Sequence, residues 1–64
     1  MTLYDYQKSK EIAAKDYPFN ALIMAAMRQA DTNNMALLNL VYPHIYQEFM
    51  ERYNAPGGMI EGDE

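Results

Sequence analysis

Residues Pro18 to Ala30, PFNALIMAAMRQA, decide how the chain is read. Phe19, Leu22, Ile23, Ala26, Met27 and Ala30 recur at i, i+3, i+4, i+7, i+8 and i+11, the spacing of one apolar stripe on a helix of 3.6-residue period. The opposite side carries Ala21, Met24 and Ala25, and only Asn20, Arg28 and Gln29 are clearly polar. A helix that is apolar nearly all round is buried on more than one side. The segment therefore reads as the central helix of a small all-α domain, a bundle of three to four short helices, with the rest of the chain arranged to cover it. It is too short to cross a bilayer, which takes about 20 apolar residues. Pro18 suits the first helical position, where its missing N–H would be unpaired in any case, and Asp16 or Tyr17 is then the N-cap.

Toward the N-terminus, Thr2-Leu3-Tyr4-Asp5 has the form of a capping box, with Met1 and Tyr6 placed for a hydrophobic staple. A first helix is expected from about Leu3 to Lys15, with Tyr6, Ser9, Ala13 and Ile12 facing inward, Ser9 in a packing role, and Glu11–Lys15 as an i,i+4 ion pair. Asp16-Tyr17-Pro18 ends it, because the residue before proline avoids the α region. Toward the C-terminus, Asp31-Thr32-Asn33-Asn34 is a turn followed by an N-cap, since each of these side chains bonds its own local backbone. Asp31 and Asn33 match the first two ligand positions of a calcium loop, but Met35 takes the third and Ala36 stands where glycine is needed, so that reading is rejected.

A third helix should run from about Asn34 to Val41, its apolar face made of Met35, Leu37, Leu38 and Val41. Pro43 breaks it at Tyr42 and opens a fourth, from about Pro43 to Tyr53, with Ile45, Tyr46, Phe49, Met50 and Tyr53 inward and Glu48–Arg52 paired. Asn54 is the expected left-handed residue after that helix. Residues 1–54 then form the helical domain, and 55–64, APGGMIEGDE, form a flexible acidic tail.

Composition narrows the function. A chain of 64 residues buries only about 60% of its unfolded surface and is marginally stable alone. With no cysteine to cross-link it, association with itself or a partner is the expected support. Nine acids stand against five bases, yet Glu61, Asp63 and Glu64 lie in the tail, which leaves the body near neutral. Lys8, Lys10, Lys15, Arg28 and Arg52 are scattered along the sequence, unlike the clustered cations a nucleic-acid binder needs. No basic and apolar leader opens the chain, so a cytoplasmic protein with no membrane partner is expected.

Little points to chemistry. His44, the one histidine, sits in the first turn of a helix and reads as a surface or capping residue. Glu48 and Glu51 read as a solvated face. The glycines of Gly57-Gly58 lie beside the C-terminal end of a helix, the wrong dipole end for an anion. No cofactor, metal or small-molecule substrate is expected, and the protein reads as a non-enzyme. An enzyme would need His44 joined in a pocket to two carboxylates distant in sequence. The remaining signals suit protein contacts. Ala21, Met24, Ala25 and Arg28 form a face that is either an adaptable core or a partner surface. The six tyrosines are core edge or interface, with Tyr4, Tyr17, Tyr42 and Tyr46 the candidates for a patch.

The segments ALIMAAMRQADTNN (Ala21 to Asn34) and RYNAPGG (Arg52 to Gly58), with the Tyr42-Pro43 step between helices, resemble a family of short, uncharacterised proteins carried by bacteriophages and prophages. The resemblance runs from about Tyr4 to Gly58. It implies a phage or prophage gene product acting inside a bacterium, and it brings no catalytic residues with it. Some members carry an acidic body, whereas the acids here concentrate in the tail. The expected function is that of a small interaction protein that self-associates or binds a host or phage protein. The alternative is an inhibitor of a host defence or nucleic-acid-processing enzyme, which needs acids aligned on the folded body.

Overall fold

The computed structural model describes residues 1–60, 62 and 63. Four α-helices follow one another, α1 (Leu3–Ala14), α2 (Phe19–Gln29), α3 (Thr32–Val41) and α4 (Pro43–Tyr53), and a 3₁₀ turn spans Pro56–Gly58. Among the described residues there is no strand, so the all-α class follows directly.

Local signals set most boundaries. The Thr2 hydroxyl accepts from the Asp5 N–H at 3.1 Å while the Asp5 carboxylate accepts from the Thr2 N–H at 3.1 Å, completing the capping box. Met1 is fully exposed, so the staple to Tyr6 is not made. Asp31 caps α3 by accepting from the Asn34 N–H at 2.8 Å. Pro43 opens α4, and Tyr42, with φ −131° and ψ 60°, is the single residue between α3 and α4.

Three local expectations fail. Pro18 has ψ 148° and stands before α2 rather than within it, because extended backbone at the proline turns the chain into the helix. Asp16 does not cap α2 but takes the left-handed conformation, φ 56°, at the end of α1, where its N–H reaches the Ala13 carbonyl at 3.0 Å; aspartate tolerates that region better than most residues. Asn54 stays right-handed, φ −92°, and the reversal after α4 is made by Gly57 and Gly58, both at positive φ.

The packing differs more. The element that meets the most others is α4, which touches α2, α3 and the 3₁₀ turn. Its Phe49 is buried, as is Met27 of α2, and these two are the buried apolar side chains among the described residues. Met35 of α3 and Met50 line the same small hollow with them. The Arg28 guanidinium lies over the rings of Phe49 and Tyr53, 5.4 and 5.7 Å from their centroids, and Phe19 meets Tyr42 edge-on at 6.0 Å. A central role for α2 is therefore not what the packing shows. Its stripe turns Ile23 and Met27 inward, yet Phe19 and Ala26 stay exposed.

Helix α1 packs against none of the other elements. Every one of its residues is exposed, including the expected inner stripe of Tyr6, Ser9, Ile12 and Ala13. Instead of packing, the Ser9 hydroxyl donates to the Tyr6 carbonyl at 2.6 Å. Glu11 pairs with Lys8 at 3.2 Å in place of Lys15. The dimensions agree: the radius of gyration is 13.4 Å, against about 11 Å for a compact chain of this length. The accessible surface is 5557 Å², against about 4,200 Å² for a folded monomer of this mass.

Since α2 and α3 meet α4 around Phe49, Phe49→Ala should cost about 3–5 kcal/mol and abolish the cooperative urea transition followed by circular dichroism. Leu40→Ala, at a side chain 75% exposed, should move that transition by less than about 0.5 kcal/mol.

Candidate interaction surface

The helices leave an open groove between α2 and α3. Ala26, Gln29 and Ala30 form one wall, and Asn34, Leu37, Leu38 and Val41 the other, around a volume of about 540 Å³. Leu37 is 59% exposed and Val41 62%. With Leu40, 75% exposed, they make an i, i+3, i+4 set on α3 that stays exposed among the described residues. Isolated exposed apolar side chains are ordinary; here Leu37, Leu40 and Val41 lie together beside a concave wall. The floor is aliphatic, while the Gln29 and Asn34 amides offer polar groups at the rim. A second hollow, on the side of α3 facing Tyr46, is lined by Asp31, Thr32, Met35, Ala36 and Asn39 and is more polar.

The residues singled out from the sequence do not form one patch. Ala21 and Met24 are half-buried on α2, and Ala25 is exposed beside them. Arg28 shares that helix but is engaged with the α4 rings. Tyr42 is half-buried against Phe19, and Tyr46 lines the polar hollow. Tyr17 is exposed in the α1–α2 connection, and Tyr4 is exposed on the detached α1, with the Lys8 ammonium 5.6 Å from its ring centroid. The groove residues Leu37, Leu38 and Val41 were expected to face inward. Their periodicity is that of any core helix, and nothing in it distinguishes a face closed by the same chain from one left open.

Charge is distributed unevenly over these parts. Residues 3–15 hold three lysines against Asp5 and Glu11, a net +1, while residues 17–64 hold two arginines against six acids, a net −4. Much of the acidic character is engaged near the C-terminus. The Arg52 guanidinium donates to Glu48 at 2.9 Å, to the Gly58 carbonyl at 3.0 Å and to Asp63 at 2.8 Å, and the Ile60 N–H also reaches Asp63 at 3.2 Å. The sequence reads 55–64 as a flexible tail; in the structure its Gly58 and Asp63 are held against α4. Glu61 and Glu64, the other tail acids, lie outside the described residues. The Glu48–Arg52 pair was legible from its i,i+4 spacing, whereas Asp63 lies eleven residues from Arg52 and gives no periodic signal.

Among the described residues no three His, Asp or Glu side chains converge as metal ligands, and no helix is long and apolar enough to cross a membrane. His44 is exposed in the first turn of α4. No family model, curated protein or solved structure matches the chain.

The hydrogen bonds from Arg52, and then that from the Ile60 N–H, hold the Asp63 carboxyl well below the ordinary aspartate range, at about 2. A lowered carboxyl pKa adds stability that is present above the unfolded value, near pH 4, and is lost as pH falls through the folded one. The attachment of the C-terminal segment should therefore persist to about pH 4 and loosen progressively toward pH 2. A carboxyl carbon NMR titration should place the Asp63 midpoint near the lower limit, and Arg52→Gln should return it to the ordinary range.

Proposed function

We propose that this is a non-enzymatic protein that works by protein–protein association, with another copy of itself as the first partner. The observation that carries the reading is the surface left uncovered. The chain exposes roughly 1,300 Å² more than a folded monomer of its mass should. A standard protein–protein interface buries about 1,200–2,000 Å² in total, so a second copy has enough to bury. Two buried side chains, Met27 and Phe49, are a thin core for an independent monomer, and association is a common remedy in chains this small.

The phage or prophage setting, and with it the bacterial cytoplasm, rests on the resemblance of Ala21–Asn34 and Arg52–Gly58. Acidic mimicry of nucleic acid draws less support, because Arg52 engages both Glu48 and Asp63.

Multi-angle light scattering over a concentration series tests the association. The average mass should rise from one chain toward two between low and high micromolar concentration. A mass of one chain throughout, up to several hundred micromolar, would overturn the proposal.

A further inference from the structure

We infer that Met35 and Met50 are oxidation sites through which a peroxide loosens the helical body. The inference stands apart from the self-association proposed above. Six methionines occur among 64 residues, with no cysteine, so every sulfur in the chain is a thioether. The structure sorts them by exposure. Met1 and Met59 are exposed, and Met27 is buried, at 1%. Met24, Met35 and Met50 are half-buried. Met35 and Met50 differ from Met24 in position. With Met27 and Phe49 they line a hollow of about 290 Å³ that opens to solvent. Each helix of the body brings one thioether to it: Met27 from α2, Met35 from α3 and Met50 from α4.

This placement joins access to consequence. A thioether sulfur attacks one oxygen of hydrogen peroxide. The S–O bond forms as the O–O bond breaks, the sulfur gives up two electrons, and the second oxygen leaves as water with both peroxide protons. The product is a sulfoxide, which is polar and accepts hydrogen bonds where the thioether was apolar. At Met1 or Met59 the change falls on an exposed side chain, and nothing else must move. At Met35 or Met50 it puts a polar oxygen into the hollow beside the Phe49 ring, where an unpaired acceptor is costly. Either response to that oxygen loosens the packing. The side chain turns outward and uncovers Met27 and Phe49, or the oxygen draws the Arg28 guanidinium, which lines the same hollow, off the Phe49 face. Leucine would fill the same space and be inert to peroxide, so the thioethers make the body responsive. The change is also reversible. Two thiols of a sulfoxide reductase become a disulfide as the sulfoxide oxygen leaves as water.

The folded chain, at low micromolar concentration, would be treated with hydrogen peroxide. Samples over time would go to peptide mass mapping and to urea unfolding followed by circular dichroism. Met1 and Met59 should gain oxygen first, with the urea midpoint unchanged. The cooperative transition should then be lost in step with oxygen at Met35 and Met50. Met27 should react at least about tenfold more slowly than Met59 until that loss, because its sulfur is reached only when the body opens. A Met35→Leu, Met50→Leu chain should keep its transition through the same treatment, whereas Met24→Leu or Met1→Leu with Met59→Leu should give no protection. Sulfoxide reductases supplied with a dithiol should restore the transition of the natural chain. Complete oxidation at Met35 and Met50 with the transition intact overturns the inference. So does a loss that follows oxygen at Met24, or a Met27 that reacts as fast as Met59 from the outset. Should the leucine pair fail to fold, the time course of the natural chain decides by itself.

Discussion

Phe49 of α4 is the buried aromatic side chain in the cluster that α2, α3 and α4 form. It lines one hollow with Met27 of α2 and Met35 of α3, and the Arg28 guanidinium lies over its face. Remove its ring and the three helices lose their shared contact. The rest of the arrangement follows from that constraint. Methionine is suited to such a site because an unbranched thioether adapts to the irregular space around a single aromatic ring. One aromatic ring and its methionines cover only the α4-facing sides of α2 and α3. Their other sides form the open groove.

The structure divides the chain into a body and an arm. In the body, tertiary contact stabilises each helix. In the arm, the capping box, an i,i+3 ion pair and two lysine–tyrosine contacts supply what order there is, and exposed ion pairs contribute only fractions of a kcal/mol. Arg52 plays the opposite role at the other end. Its guanidinium fork draws Gly58 and Asp63 against α4.

Helix-forming segments, their caps and their proline boundaries were legible in the sequence because each is a local property. Thr2 with Asp5, Pro43 at the first position of α4 and Glu48 with Arg52 are local signals that the structure repeats, whereas α3 opens at Thr32 under an Asp31 cap, two residues before the expected start at Asn34. Boundaries erred where two local signals competed. Pro18 and Asp16 were both given helix-start roles, but the extended backbone at Pro18 and the left-handed turn at Asp16 belong to the connection. The α2–α3 groove was not legible. Leu37, Leu38 and Val41 have the period of a core-facing helix, and the same period serves whether the covering surface comes from this chain or another.

The sequence by itself determined the all-α class, the four helices and the lack of a recognisable catalytic or metal-binding motif, since these depend on residue types and short spacings. Only the tertiary structure decided which helix the others gather around, that α1 stands apart, that Asp63 returns to Arg52, and which apolar faces remain open. Those features depend on how a few side chains share space across distant parts of the chain. A 3.6-residue apolar stripe states that a face must be covered, and carries no information about what covers it.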